Sequence, residues 1–218
     1  MIALGRHIAM LACLVSATGA EAAKLSAMVY GGDAKPLANA VVVAIPEDGR
    51  LPPVGKSVEV VDQIDKEFVP YVKAVRAGSY VRFPNKDNIV HHVYSFSPAR
   101  TFELPLYKGT PSQPVLFDKP GVVKLGCNIH DWMVGYLYVT ETPYFGKSAR
   151  DGRIDLDDLP AGRYRVRVWH PRMEGSEDAT VQHAELQEGE PAVVEWTLSL
   201  HPEYRPQRTP LPGEPGYR

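Results

Sequence analysis

Residues 127–133 read Cys127-Asn128-Ile129-His130-Asp131-Trp132-Met133. A cysteine, a histidine and a methionine follow one another here at intervals of three residues. Each side chain carries a donor atom for soft or borderline metal ions: a thiolate sulfur, an imidazole nitrogen and a thioether sulfur. Two imidazoles and one thiolate in a trigonal plane, with a long axial bond to a thioether, form a blue copper site. The stretch therefore predicts three of the four ligands of such a site.

The fourth ligand would be a second histidine, and two candidates lie upstream. The sequence Val90-His91-His92-Val93 falls in a β-branched, aromatic segment that is typical of a strand. Adjacent residues of a strand face opposite sides of the sheet, so His91 and His92 cannot easily reach the same metal ion. The strand pattern alone leaves both histidines open as candidates.

The N-terminus predicts export. Arg6 precedes a short apolar run at 8–15, which is too short to span a bilayer, and Ala20-Glu21-Ala22 offers a small-residue cleavage site. We therefore interpret residues 1–22 as a secretory signal peptide, expect a periplasmic protein and see no other stretch that could cross a membrane. Removal of the signal peptide leaves Cys127 without a disulfide partner, which favours metal ligation over a buried, inert thiol.

Composition places the chain among ordinary globular proteins. Of its 218 residues 44% are hydrophobic and 23% are charged, and 20 prolines and 18 glycines indicate many turns between short strands. A formal net charge of −2, without any basic run, argues against a nucleic-acid partner.

The pattern of apolar residues predicts an all-β chain. No segment has a long helical period, whereas alternating or β-branched runs predict strands, for example at 25–30, 40–45, 68–75 and 164–169. In the strand that leads into the ligand stretch, Val123, Leu125 and Cys127 should share one face. We expect residues 98–120 to form a long irregular connection and the proline-rich residues 202–218 to form an extended tail.

The segment 58–140 resembles the cupredoxins, the family of plastocyanin, amicyanin and azurin. The resemblance rests on the ligand stretch and on these further residues: Phe68, Pro70, Val75, Gly78, Val81, Phe83, Asn85, His91, Val93, Pro120 and Gly121. Within the family the chain looks most like the periplasmic group known as methylamine utilization proteins. The resemblance implies a Greek-key β-sandwich at 56–140 that holds one type 1 copper through His91, Cys127, His130 and Met133.

The same resemblance assigns supporting roles around these ligands. His92 stands where cupredoxins often carry asparagine, so its backbone N–H could bond the thiolate while its side chain is exposed or loosely packed. Asn85 is one of the residues that match the family, and it would lie among the residues that surround the copper ligands. These residues would tune the site rather than bind copper.

Three residues of the ligand stretch are candidates for a docking surface. Asp131 is either a solvated loop acid or a charge that disfavours acidic partners. Trp132 either fills the core beneath the loop or belongs, with Ile129, to an apolar face beside the exposed edge of His130.

The flanking segments resemble a different module. Residues 36–43 and 151–164 look like strands of a carboxypeptidase-regulatory-like, transthyretin-type β-sandwich. We expect segments 24–55 and 141–201 to form this second small sandwich together, with the cupredoxin domain inserted into it or placed before its main part.

These features predict a periplasmic electron carrier rather than an enzyme. Its partner would be a redox protein such as a c-type cytochrome or a periplasmic dehydrogenase. The alternative is a copper-binding module that holds or senses copper, or that contributes to an assembly through the second sandwich. The sequence contains no His-x-His pair of the kind that builds a trinuclear copper cluster, and no motif places a nucleophile beside a base.

Overall fold

The computed structural model describes residues 22–111 and 113–202, and in these ranges the chain is all-β as predicted. The signal peptide and the tail lie outside this part of the chain except for Ala22 and Pro202. The described residues form one turn of 3-10 helix, Glu177–Thr180, and seventeen strands: β1 Ala23–Gly31, β2 Val41–Pro46, β3 Val58–Val60, β4 Asp62–Ile64, β5 Glu67–Val69, β6 Val72–Arg76, β7 Ser79–Arg82, β8 His91–Ser97, β9 Arg100–Tyr107, β10 Val115–Phe117, β11 Gly121–Gly126, β12 Val134–Thr140, β13 Phe145–Lys147, β14 Arg153–Leu159, β15 Gly162–Trp169, β16 Gln182–Leu186 and β17 Pro191–Leu198.

The middle of the chain, residues 58–140, forms what we call the central sandwich. Its larger sheet has the strand order β6-β12-β11-β8-β9, and its smaller sheet has the order β10-β7-β3. Val123, Leu125 and Cys127 are buried in the core of this sandwich, whereas Lys124 between them is exposed. The predicted shared face is therefore confirmed, and it carries Cys127 into the core at the end of β11.

Strands from both ends of the chain form what we call the flanking sandwich. One sheet has the order β14-β1-β17 and the other has the order β13-β2-β15-β16. Within it β2 pairs with β15 from Val41–Trp169 to Pro46–Tyr164, and β1 runs parallel to β17. The chain leaves this sheet after β2, forms the central sandwich and returns to the same sheet at β13.

The two sandwiches meet at an apolar junction. Val41 and Val43 of β2 and Trp169 of β15 pack in one buried cluster with Val72 and Tyr138 of the central sandwich. The ring centroid of Trp169 lies 5.4 Å from that of Tyr138. The outer face of β6 and β12 is thus covered by the flanking sandwich.

Two strand predictions are wrong, and proline explains both. The segment 98–120 contains β9 and β10 instead of an irregular connection; β9 lies at the sheet edge, where Pro105 needs no partner for a missing N–H. The single strand predicted at 68–75 is divided into β5 and β6, because Pro70 cannot donate a ladder hydrogen bond.

Candidate metal centre

Three side chains from separate elements converge at one end of the central sandwich. His91 is the first residue of β8, Cys127 follows β11 directly, and His130 lies in the loop that leads to β12. One ligand atom of each, two imidazole nitrogens and the sulfur, lies within 4.8 Å of the others. Within the described residues this is the one cluster of three such donors found.

The ligand loop folds so that His130 turns back toward Cys127. The backbone N–H of Met133 donates to the carbonyl of His130 at 2.9 Å, which closes a tight turn. The Nδ1 atom of His130 lies 3.7 Å from the Sγ atom of the buried Cys127. The loop therefore places the imidazole beside the sulfur.

His91 is fully buried, and its two ring nitrogens have different surroundings. Its Nε2 atom lies 2.7 Å from the Oδ2 atom of Asp87, so this nitrogen donates its hydrogen to the carboxylate. Its Nδ1 atom is buried without a hydrogen-bond partner. A metal ion could bind this nitrogen. The Nδ1 atom of His92 is unpaired as well, so His91 is distinguished by its place in the group of three donors.

Asp87 is a residue of the site that sequence analysis missed. Besides His91, its carboxylate accepts the backbone N–H groups of Asp65 at 2.8 Å and Lys66 at 2.9 Å. Burial works to raise the pKa of Asp87, but these hydrogen bonds outweigh it and hold the pKa below its usual value. The available signal was an acid four residues before a candidate histidine, in a segment that indicated only a turn.

His130 is the partly exposed member of the group. Its ring centroid lies 5.0 Å from that of His91 and 5.3 Å from that of Trp132. Burial lowers the pKa of His130, and the positive charge of Lys66 lowers it further. The neutral imidazole, which is the form that binds metal ions, is therefore favoured.

Met133 is buried beside this group. It belongs to the same core cluster as Cys127, and both residues line a surface groove of about 620 Å³. The groove continues past Tyr94 to Phe96, whose side chain is exposed. Met133 thus lies in the same part of the core as Cys127, and its role as axial ligand stays a prediction.

His92 is not exposed or loosely packed as expected; it is buried. Its Nε2 atom lies 2.8 Å from the Oε1 atom of Glu103, and its ring packs at 5.4 Å from that of Tyr94. Strand β8 lies between β9 and β11 in the sheet, and side chains of β8 and β9 cover the face on which His92 lies. His92 lies outside the group of three donors, on the side of the strand opposite to His91.

Asn85 connects the loops around His91. Its buried side-chain amide donates to the carbonyl of Ile89 at 2.8 Å and to that of Tyr107 at 2.9 Å. Its side-chain oxygen accepts the backbone N–H of Asp87 at 3.0 Å. Asn85 thereby fixes both the chain that enters β8 and the residue that holds the ring of His91.

The three residues proposed for docking differ in exposure. Ile129 and Asp131 are exposed, whereas Trp132 is partly buried and packs against the ring of His130. The indole nitrogen of Trp132 is buried and has no hydrogen-bond partner. Trp132 therefore packs against the loop and stays partly accessible beside His130, and its part in a docking surface stays a prediction.

The chain is similar to several solved structures at low identity. It is 22% identical to an amicyanin mutant (TM-score 0.34), covering 38% of this chain and 82% of that one. It is 20% identical to a purple cupredoxin from Nitrosopumilus maritimus (TM-score 0.33), covering 38% of this chain and 99% of that one. It is also 22% identical to a copper-containing nitrite reductase from Thermus scotoductus (TM-score 0.36), covering 52% of this chain and 28% of that one.

The sequence matches no protein-family model, and no curated protein is significantly similar to it. No helix among the described residues is long and apolar enough to cross a membrane. That the chain has no enzymatic activity stays a prediction.

Proposed function

We propose that the chain is a periplasmic cupredoxin that carries single electrons through one type 1 copper. The observation that supports this most is the convergence of two imidazoles and one buried thiol, with the Nδ1 atom of His91 left unpaired. The donor set fits copper, because thiolate and thioether select soft ions and two imidazoles complete the trigonal plane. His91, Cys127 and His130 would hold the ion, and Met133 would be its axial ligand.

The surroundings of the donors suit electron transfer. When bound, the copper supplies a one-electron couple. Cys127, His91 and Met133 are at most 4% exposed, so packing holds them in place and little needs to rearrange when the charge of the ion changes. His130 is the ligand that reaches the surface, and Ile129 and Trp132 beside it offer an apolar contact area for a redox partner such as a c-type cytochrome or a periplasmic dehydrogenase.

A second candidate is a copper-binding module that is not a carrier. It is favoured by the junction, because the flanking sandwich packs against the sheet that carries the ligands and could serve as an interaction module of transthyretin type. The proposal includes a signal peptide at 1–22, a cupredoxin domain at 56–140 and a second sandwich formed by 24–55 and 141–201.

Absorption and EPR spectra of residues 23–218 after addition of Cu(II) test the copper site. We expect an intense thiolate-to-copper band in the visible region and an EPR spectrum with the small copper hyperfine splitting of a thiolate-bound site. A folded protein that binds Cu(II) without this band would rule out a type 1 site.

Electron exchange then separates the two candidates. A carrier should give a reversible one-electron wave and should reduce a c-type cytochrome rapidly in stopped flow, at a rate that varies with ionic strength. A protein with the band but with slow exchange toward both cytochromes and dehydrogenases would favour the holding or sensing module.

A further inference from the structure

We propose that Asp87 is a positioning residue that fixes the tautomer of His91 and lowers the reduction potential of the copper. This inference rests on the proposed function. Its basis is that the Oδ2 atom of Asp87 accepts the hydrogen of Nε2 at 2.7 Å, which leaves Nδ1 as the nitrogen with a free lone pair. Without an acceptor at this place the ring could carry its hydrogen on either nitrogen.

The carboxylate is held by a dedicated hairpin turn. Strands β4 and β5 pair through a two-residue turn of Asp65 and Lys66, with φ angles of 53° and 61°. A turn with two positive φ values normally takes Asn-Gly or Asp-Gly, and lysine is unfavourable there. The backbone N–H groups of both turn residues donate to Asp87. A costly turn that directs two donors at one carboxylate indicates that this carboxylate must be fixed in place.

The two carboxylate oxygens of Asp87 accept different hydrogen bonds. Oδ1 accepts the N–H of Asp65, while Oδ2 accepts both the N–H of Lys66 and the hydrogen of His91. The turn therefore sets the direction of the carboxylate, and the carboxylate sets the rotation of the imidazole. The orientation of His91 is fixed from outside the donor group.

The negative charge of Asp87 acts through the ring of His91. A carboxylate that accepts the outer N–H of a ligand histidine makes the inner nitrogen a stronger base, and loss of such a partner commonly lowers metal affinity about 10–100-fold. The effect is larger for the more highly charged ion, so the carboxylate stabilises Cu(II) more than Cu(I). The potential is therefore lower than it would be with a neutral partner.

The variant Asp87→Asn tests this directly. It keeps the size of the side chain and an oxygen that can accept from His91, but it removes the charge and places an NH₂ group against a turn N–H. We expect Cu(II) affinity to fall about 10–100-fold. If Cu(I) affinity changes about tenfold less, the potential rises by about 59 mV, since this is one factor of ten for a one-electron couple.

The matched control is Glu67→Gln. It removes one negative charge from the hairpin that holds Asp87, at an exposed position of β5, and leaves the two turn residues that donate to Asp87 unchanged. We expect the potential and the copper affinity of this variant to stay close to wild type. An equal potential in Asp87→Asn and wild type, or an equal rise in both variants, would overturn the proposal.

A second measurement needs neither a variant nor copper. In the metal-free wild type, ¹⁵N shifts of the histidine rings should show that the neutral ring of His91 carries its hydrogen on Nε2 and none on Nδ1. The opposite tautomer would overturn the assignment to Asp87 even if the copper site is real. Absence of the type 1 band in wild type would refute the proposed function, while the tautomer would still report on Asp87.

Discussion

The metal centre and the junction are two buried regions of the central sandwich, and they differ in the kinds of polar side chain that meet there. At the junction, the hydroxyl of Tyr138 donates to Glu177 at 2.7 Å, and the guanidinium of Arg167 lies near both Glu177 and Glu141. At the metal centre, Nδ1 of His91 has no partner and Cys127 is a free thiol. Buried polar atoms paired within the protein indicate a structural role, and buried donors that converge unpaired indicate a bound ligand.

The difference also predicts how each region contributes to stability. The junction buries aromatic and aliphatic side chains, and the hydroxyl of Tyr138 and the guanidinium of Arg167 have acidic partners there, so it should stabilise the fold by itself. The metal centre holds donor atoms that a bound ion would pair, so binding there should add stability that grows with the logarithm of the ion concentration divided by its Kd. Variants at the metal centre should therefore change the copper colour and leave the metal-free protein folded. Variants at the junction should lower the free energy of unfolding and leave the colour unchanged.

The largest effect should follow Cys127→Ser. Loss of the thiolate removes the charge-transfer transition, so we expect the visible band to disappear entirely while the metal-free protein stays folded. Absorption spectra with Cu(II) measure the loss of the band, and thermal unfolding of the metal-free variant shows whether it stays folded. A variant that keeps an intense band would show that the sulfur is not a ligand.

Next comes Trp169→Ala at the junction. The side chain is 9% exposed and packs against Tyr136 and Tyr138, so its loss should lower the free energy of unfolding by about 3–5 kcal/mol. Chemical denaturation measures this, and the visible spectrum of the folded fraction should match wild type. A change in the copper band would mean that the junction also shapes the metal centre.

A smaller effect is expected for Tyr138→Phe. The variant keeps the ring but leaves Glu177 without its hydrogen bond, which should cost about 1–3 kcal/mol. Burial raises the pKa of Tyr138 well above its usual value, and the contact with Glu177 raises it further.

The same pair gives a pH dependence. The unfolded chain releases the tyrosine proton near pH 10, whereas the folded protein holds it to higher pH. The contribution of Tyr138 is therefore complete below about pH 10 and is lost as pH rises above this value. Unfolding measured from pH 8 to pH 11 should show a smaller decline in Tyr138→Phe than in wild type, and parallel curves would contradict the assignment.

The smallest effect on the metal centre should come from His92→Ala. Loss of the buried ring leaves a cavity beside Tyr94 and should cost a few kcal/mol, whereas Glu103, whose side chain is 70% exposed, can be solvated when its partner is lost. The copper band should be unchanged. Bleaching of the band would show that His92, rather than His91, binds the ion.

Much of the fold was predictable because the signals are local. Alternation along β11 gives the buried face of Val123, Leu125 and Cys127 without knowledge of any partner strand. Strand β9 was not predicted because it contains Pro105. A proline argues against a strand unless that strand lies at the edge of its sheet, and the sequence does not show where a strand lies.

The candidate site was predictable in part for a similar reason. The ligand stretch contains its own spacing, and the family resemblance pointed to His91. The role of Asp87 was not predictable, because it depends on a hairpin turn more than 20 residues away in sequence that contributes two N–H groups. The burial of His92 likewise depends on Glu103 and Tyr94, and no local pattern reports such contacts.

The sequence by itself determined that this chain is all-β and that a thiol, an imidazole and a thioether recur at a spacing suited to one metal ion. Both are properties of neighbouring residues, set by strand periodicity and donor chemistry. The tertiary structure decided which histidine joins them, which nitrogen is left free and how the flanking strands cover the central sheet. These depend on pairings between distant segments, which only the folded chain brings within hydrogen-bonding distance.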